Sequence, residues 1–235
     1  MSTDKLRRAI DAFGMVMVQG YGQAEAPFFC TCLTTRDHQL AIEAGKLERL
    51  ASCGRPSPFA WLEIMNDEGE LCGPHDRGEI VVRGDLVMKG CYKNVEATEE
   101  ALAGGWLHTG DIGYRDEEGY YYIVDRKKDM IISGGFNIYP NEIEQVLWSH
   151  PAVQDCAVIG VPDIDWGEAV KAVVELRPQA METPENLLLY CRERLSGFKV
   201  PKSIEIWDAL PRSQIGKVLK REVRDRYWRG LDRSI

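Results

Sequence analysis

The sequence has no apolar run of 18 residues, which is about the length a helix needs to cross a bilayer. Residues 1–14 read MSTDKLRRAIDAFG, and they carry charges where a secretory signal has its apolar core. We therefore expect neither a membrane-spanning protein nor one secreted by this route.

Patterns that bind structural metals are also missing. The four histidines show no H-x3-H spacing, and Cys30 and Cys32 are too close together for the usual zinc knuckle. The cysteine count is odd and the spacing is scattered, which disfavours a disulfide framework. The seven positions are Cys30, Cys32, Cys53, Cys72, Cys91, Cys156 and Cys191. These features predict reduced thiols and a cytoplasmic protein.

Basic charge is not in excess, because the formal net charge is -8. This balance argues against a dedicated nucleic-acid binder, which gains affinity by neutralising phosphates. It leaves room for a local basic site that binds a small phosphorylated ligand. The chain also has no G-x-S-x-G elbow, no H-E-x-x-H and no complete phosphate loop. A Cys–His nucleophilic pair has no positive support.

The first half of the chain reads as mostly β. Residues 3–13 predict a helix, and residues 15–22 (MVMVQGYG) predict a buried strand that runs into a glycine turn. Residues 33–57 are polar and look irregular. Strand patterns then dominate residues 59–125, where FAWLEIM, GEIVVRG and GYYYIVD are bounded by turn residues.

The second half alternates strands and helices. Residues 140–149 predict a helix, and VQDCAVIGV and EAVKAVVEL predict two strands. Thr183 and Pro184 should open a further helix that Gly197 closes, and residues 217–228 should form the last helix. Charge density rises after Asp125. We therefore expect a boundary near residues 126–128, followed by an α+β domain.

Four segments carry a specific resemblance: GYGQAEA (20–26), GGWLHTGDIGYRDEEGYYYIVDRKKDMIISGGFNIYPNEIE (104–144), GVPDIDWGEAVKAVV (160–174) and LPRSQIGKVLKRE (210–222). In this order they resemble the acyl-adenylate-forming (AMP-binding) superfamily of acyl-CoA synthetases. The fold class that this implies is α/β and α+β. Residues 1–126 would form the C-terminal, β-rich portion of the large domain. Residues 127–128 would be a hinge, and residues 129–235 the small C-terminal lid domain.

One departure from the family is large. Members of the family are more than twice as long, and their phosphate loop lies upstream of the first matched segment. Residues 1–20 do not supply that loop. We therefore expect this chain to be inactive or impaired when it is alone.

In the first part of the chain, the resemblance implies a nucleotide site. Glu25 would be a catalytic residue and hold Mg²⁺ beside the phosphates, as hard oxygen ligands do. Tyr21, with Gly22, would bind adenine, although a core tyrosine is nearly as good an interpretation. Ala24 stands where the family commonly has Thr, which removes one hydrogen bond to phosphate.

The same resemblance assigns the ribose to Asp111 and Arg126. Ile123 matches an apolar residue near the nucleoside, whereas a strand isoleucine by default lies in the core. Lys128 would be the hinge residue about which the small domain rotates. Trp106 and His108 are read as structural residues.

In the second part of the chain, Lys217 is the strongest catalytic candidate. The matching lysine in the family bridges the substrate carboxylate and the α-phosphate, and Gly216 leaves its loop free to move. Gly135 would line the pantetheine tunnel, or Gly134 and Gly135 would mark a bulge. Trp166 is read as structural. Three basic neighbours of Lys217 are read as a solvated face, namely Lys220, Arg221 and Arg224.

The implied function is ATP-dependent carboxylate–CoA ligation, with ATP/AMP, Mg²⁺ and coenzyme A as cofactors or co-substrates. The order YGQAEAPFF favours a fatty or aryl acid. One alternative is a non-catalytic fragment that binds AMP or a partner polypeptide. Another is an adenylation domain that loads a carrier-protein thiol. Candidate partners besides the substrates are a missing N-terminal half or a second copy of the chain.

Overall fold

The computed structural model describes residues 3–230, apart from the side chains at positions 3–5 and 28. The chain divides into two compact units, a first unit over Met1–Lys127 and a second unit over Lys128–Ile235. No helix within residues 3–230 is long and apolar enough to cross a membrane.

The first unit contains three α-helices, two 3-10 helices and seven strands among its described residues. The helices are α1 (Thr3–Phe13), α2 (Thr35–Glu43) and α3 (Val95–Ala101), with 3-10 helices at Leu47–Ala51 and Ala103–Gly105. The strands are β1 (Gln19–Gln23), β2 (Ala26–Leu33), β3 (Arg55–Pro56), β4 (Trp61–Met65), β5 (Gly78–Arg83), β6 (Leu107–Arg115) and β7 (Tyr121–Arg126).

These strands form two antiparallel sheets, β1-β2-β3 and β4-β5-β6-β7. Alternate residues of β4 and β5 point into a core that also receives Tyr21 of β1 and Cys30 of β2. One core therefore serves both sheets, and it brings β1 close to β6. The β pattern predicted from residue 59 onward is confirmed in β4, β5 and β7, although α3 interrupts it.

Two sequence predictions in the first unit are wrong. Strand β1 begins only at Gln19, and Val16 and Val18 are exposed rather than buried. The carbonyl of Met17 instead accepts a 3.0 Å hydrogen bond from His38 Nδ1, so a side chain takes the place of a strand partner. The segment 33–57 is not irregular, because α2 begins there with a capping box between Thr34 and Asp37.

The second unit is built around one five-stranded sheet. Its strands are β8 (Ile131–Ser133), β9 (Phe136–Ile138), β10 (Val153–Asp163), β11 (Gly167–Leu176) and β12 (Ser203–Trp207). Its helices are α4 (Pro140–Trp148), α5 (Pro184–Arg192) and α6 (Lys220–Asp225), with a 3-10 helix at Gly197–Lys199. A further 3-10 helix, Lys127–Asp129, begins on the last residue of the first unit. Strand order is β10-β11-β8-β9, and β12 lies parallel to β11.

Helices cover both faces of the β10–β11 hairpin. On one face Val158 and Val174 pack against α4 and α5. On the other, Ala157 and Val173 pack with Val223 of α6. Burial on both faces explains why these strands read as nearly continuous apolar runs.

Two helix ends in the second unit differ from the prediction. Helix α5 ends at Arg192 rather than at Gly197, because the chain turns there and Leu195 packs onto the core. Helix α6 begins at Lys220 rather than at residue 217. Residues before Lys220 are held instead in a tight turn, closed by a bridge between Arg212 and Val218.

Candidate functional site

Asp111 is the centre of a small polar cluster in the first unit. Its Oδ2 accepts a 2.7 Å hydrogen bond from the hydroxyl of Tyr21, and its Oδ1 lies 3.3 Å from Nε of Arg126. Asp111 and Arg126 are direct partners on β6 and β7. The carboxylate is buried, whereas the guanidinium is more than half exposed. The two ribose candidates of the sequence are therefore brought together.

The backbone around Asp111 depends on a glycine. Gly110 has a φ of +70°, a left-handed conformation that glycine adopts without strain. Its N–H donates a 2.8 Å bond to Glu79 Oε1. Thr109 Oγ1 accepts from the Asp111 N–H and donates to the carbonyl of Ile80. These bonds fix where β6 presents the carboxylate.

Tyr21 is a buried hydrogen-bond donor. Burial raises the pKa of its hydroxyl far above the usual value, and the charge of Asp111 raises it further. The phenol therefore stays protonated at any ordinary pH and keeps donating to Asp111. The ring belongs to the core of the first unit. Its role beside adenine stays a prediction.

Ile123 is not the core residue that a strand isoleucine is by default, because 37% of it is exposed. An irregularity in the β6–β7 pairing makes Val124 an extra residue on β7, so that Ile123 lies opposite Gly113 while Arg126 lies opposite Asp111. Ile123 therefore faces the same side as the Asp111–Arg126 pair. Its predicted place near a nucleoside is compatible with this geometry.

Glu25 lies in the two-residue turn, Ala24–Glu25, that joins β1 to β2. Its carbonyl accepts a 2.7 Å bond from the Met88 N–H. Within residues 3–230 its carboxylate has no hydrogen-bonding or ionic partner. Gly22 is an exposed residue of β1. The described residues contain no group of three or more His, Cys, Asp or Glu that could hold a metal ion. Glu25 can thus offer one hard oxygen ligand.

The predicted hinge coincides with the junction of the two units. Lys127 ends the first unit, and its Nζ lies 2.9 Å from Asp67 Oδ1. Lys128 begins the second unit, and its carbonyl accepts a bond from Arg224. The hinge role of Lys128 stays a prediction.

Gly134 and Gly135 form the turn between β8 and β9, so they do not mark a bulge. Both have positive φ, of 58° and 80°. A Cβ on Gly134 would lie 2.2 Å from the ring of Trp166, whereas one on Gly135 would meet nothing within 4 Å. The backbone at Gly135 is therefore open to an approaching ligand, as the pantetheine prediction requires.

Lys217 lies in the tight turn that precedes α6. Its side chain is exposed, and it has no partner within the part of the chain that the structure describes. The backbone beneath it is well bonded: Ser213 N–H donates to Lys217 O and Gly216 N–H donates to Ser213 O, both at 2.8 Å. Gly216 has a φ of +81°. The turn therefore presents a single ammonium group to solvent.

The basic neighbours of Lys217 are not one solvated face. Lys220 Nζ lies 2.8 Å from Oε1 of Glu144, which is 3% exposed. Arg224 pairs with Asp129 and is itself mostly buried. Only Arg221 among the three is largely exposed. The prediction is wrong for Lys220 and Arg224, because α6 turns them toward acidic residues of the second unit.

Sequence reasoning missed three residues that hold these sites in place: Glu79, Glu144 and Arg212. Glu144 could have been found, because it lies three residues before the buried Leu147 on one stripe of α4. Its position in an apolar stripe indicates a buried charge with a partner. Glu79 and Arg212 carry no comparable signal, since neither lies in an apolar helical stripe.

The chain is similar to several known proteins. A model of the AMP-binding enzyme family matches residues 1–92, and a model of the AMP-binding enzyme C-terminal domain matches residues 142–217. A feruloyl-CoA synthase from an Amycolatopsis species is 47% identical over 214 residues, which are 91% of this chain and 42% of the relative. A long-chain-fatty-acid–CoA ligase from Escherichia coli O157:H7 is 43% identical over 219 residues, 93% of this chain and 37% of the relative.

A solved structure is similar as well. O-succinylbenzoate coenzyme A synthetase from Bacillus subtilis, in complex with ATP and magnesium ion, superposes with a TM-score of 0.82 at 36% identity. The match covers 95% of this chain and 44% of that protein. The chain thus spans less than half the length of the curated relatives it matches. It belongs to the AMP-binding enzyme superfamily and corresponds to the C-terminal portion of its members.

Proposed function

We propose that this chain supplies the ribose site and the catalytic lysine of an ATP-dependent carboxylate–CoA ligase. The observation that carries the proposal is the Asp111–Arg126 pair, which lies at the motif positions that the resemblance assigns to the nucleoside. Its carboxylate is buried and held by Tyr21, so it presents fixed acceptors to hydroxyl groups.

The proposed reaction has two halves. In the first, a carboxylate oxygen forms a bond to the α-phosphorus of ATP while the bond from that phosphorus to the bridging oxygen breaks, giving acyl-AMP and pyrophosphate. In the second, the sulfur of CoA forms a bond to the acyl carbon, the bond from that carbon to the phosphate oxygen breaks to release AMP, and the thiol proton passes to solvent. The first half brings two anions together, so its rate depends on positioning and electrostatics.

Lys217 is proposed to lower that repulsion. An ammonium about 4 Å from an anion contributes roughly 4 kcal/mol at an effective dielectric constant of 20. The absence of an intramolecular partner within residues 3–230 supports this role, because the group need not break an ion pair to reach the substrate. Glu25 fits the family's Mg²⁺ as one carboxylate ligand, since Mg²⁺ commonly takes one or two carboxylates together with phosphate oxygens and water. Bound there, Mg²⁺ would neutralise phosphate charge.

We propose a fatty or aryl acid as the substrate. The apolar order of residues 26–30 supports this class, as do relatives named for feruloyl and long-chain acyl substrates. Coenzyme A is the proposed acceptor, with Gly135 beside the pantetheine arm. A carrier-protein thiol is the alternative acceptor. All seven cysteines are free, which supports a reducing compartment such as the cytoplasm.

We propose further that the chain alone turns over poorly, because it spans less than half the length of its relatives. The test measures AMP release from MgATP, CoA and a pool of fatty and aryl acids, with and without a separately expressed N-terminal half of a relative. Lys217→Ala should lower any turnover by about 10² to 10³, and Arg221→Ala should leave it unchanged.

Binding of AMP by calorimetry separates this proposal from an inert fragment. The wild-type chain should bind AMP, and Asp111→Asn should bind it more weakly. A folded chain that binds no AMP, and gains no turnover from the added half, contradicts the proposed function. Turnover that requires a carrier protein and does not depend on CoA would favour a carrier-protein thiol as the acceptor.

A further inference from the structure

The turn that bears Lys217 is fastened on both sides by ion pairs that the proposed reaction does not use. On the N-terminal side, Arg212 donates through Nη1 to Asp155 Oδ2 at 2.8 Å and through Nη2 to Glu175 Oε2 at 3.0 Å. Nη1 also lies 3.3 Å from the carbonyl of Gly216, inside the turn. One guanidinium therefore joins β10, β11 and the turn.

Glu175 strengthens this attachment. The oxygen that accepts from Arg212 also accepts a 2.9 Å bond from the Leu210 N–H, two residues before Arg212. Only a tenth of the Glu175 side chain is exposed. The Leu210 backbone and the Arg212 side chain, which lead into the turn, are thus bound to the same buried carboxylate.

On the C-terminal side, the attachment is the pair between Lys220 and Glu144. Glu144 Oε1 accepts from the Val158 N–H at 2.8 Å and lies 2.8 Å from Lys220 Nζ. The pair joins the first residue of α6 to α4 and β10. Because Glu144 is almost fully buried, its charge needs this partner.

We propose that Arg212 and the Glu144–Lys220 pair are positioning residues for Lys217. They hold the backbone of the turn against β10, β11 and α4 of the same unit. The position of that backbone determines where the side chain of Lys217 can place its ammonium group. The inference rests on the proposed role of Lys217. Fixed geometry matters because a displacement of about 1 Å can lower a rate by as much as 10²-fold.

Hydrogen exchange of the full chain tests the positioning directly. Arg212→Lys keeps the charge but lacks the planar fork that reaches three acceptors. It should raise exchange at the amides of Gly216 and Lys217 by about tenfold, while amides in β10 and β11 stay unchanged. Arg221→Ala is the matched control, because that side chain is exposed on α6. Unchanged exchange in the turn, or equal acceleration in β10 and β11, overturns the proposal.

The Glu144–Lys220 pair is tested by removing both charges at once. The double variant Glu144→Gln/Lys220→Met removes the buried negative charge together with the ammonium that balances it. It should melt cooperatively and still show about tenfold faster exchange at Gly216 and Lys217. Wild-type exchange at the turn overturns the role of this pair.

Kinetics separate positioning from a purely structural role. Where Lys217→Ala reduces AMP release, Arg212→Lys should lower kcat by about tenfold and leave KM for MgATP within about twofold, because the first unit binds the nucleoside. Combining it with Lys217→Ala should cost nothing more, since Arg212 acts through Lys217. Additive losses overturn the proposal. If Lys217→Ala leaves AMP release unchanged, the proposed function is contradicted instead. The hydrogen-exchange result then shows whether Arg212 and the Glu144–Lys220 pair hold the turn in place.

Discussion

The hydroxyl of Tyr21 donates a 2.7 Å hydrogen bond to Asp111 Oδ2 across 90 positions of sequence. This bond links the first strand of one sheet to the third strand of the other within a common core. The hydroxyl orients the carboxylate from the core side, and Arg126 lies beside the other carboxylate oxygen on the neighbouring strand. The candidate ribose site therefore depends on packing between the two sheets of the first unit.

Removing only this hydroxyl should weaken both the fold and the site. Tyr21→Phe keeps the ring but leaves the buried Asp111 without one donor, so we expect a loss of about 1–3 kcal/mol in the free energy of unfolding. AMP affinity should fall with it. Urea unfolding and calorimetry measure the two effects. Tyr92→Phe, at a residue 88% exposed, is the control and should change neither. Equal results for the two variants contradict the prediction.

The family resemblance assigned Asp111 and Arg126 to one site, because both residues lie in one continuous motif whose two strands are adjacent in the sheet. It did not predict the bond from Tyr21, since that contact exists only after the two sheets pack. The same limit explains Lys220, whose charge looked solvated until α6 was placed against Glu144. Strands β10 and β11 were predicted well because burial on both faces leaves a continuous apolar run. Helix α2 was missed although the Thr34–Asp37 capping box marks its start.

Glu25 should affect metal-dependent binding without affecting stability. Its carboxylate has no partner among the described residues, so Glu25→Gln should change the free energy of unfolding by less than about 0.5 kcal/mol. If Glu25 binds Mg²⁺, the variant should lose the gain in ATP affinity that Mg²⁺ provides and keep its affinity for AMP. Calorimetry with and without Mg²⁺ measures this. Glu68→Gln, in another exposed turn, is the control. A full Mg²⁺ effect in Glu25→Gln would refute the ligand role.

Two lysines three residues apart should behave oppositely when each is replaced by methionine. Lys220→Met removes the ammonium that lies 2.8 Å from the buried Glu144, and the loss of this countercharge should cost about 3–5 kcal/mol in the free energy of unfolding. Lys217→Met removes an exposed ammonium and should cost less than about 0.5 kcal/mol. Thermal and urea unfolding of the two variants provide the comparison. Similar losses in both would show that the Lys220–Glu144 pair does not stabilise the second unit.

His38 should make the first unit sensitive to mild acid. The residue is completely buried, with Nδ1 3.0 Å from the carbonyl of Met17, while Nε2 has no partner within the described chain. Burial lowers the pKa of the imidazole below its usual value, and the Met17 carbonyl and Asp37 offset this only in part. The folded state thus favours the neutral ring.

The sign of the pH effect follows from that direction. In the unfolded chain, His38 binds a proton near its ordinary pKa of about 6.5, whereas in the folded chain it does so only at lower pH. The contribution of the neutral ring to the free energy of unfolding is therefore fully present above pH about 6.5, and it is lost as the pH falls through the pKa of the folded state. In His38→Asn the free energy of unfolding should depend less on pH between about 7.5 and 5.5. Urea unfolding, read by amide exchange in β2, measures this slope. His75→Asn, at an exposed position, should retain the wild-type slope. Identical slopes in wild type and His38→Asn would mean that other groups carry the acid sensitivity.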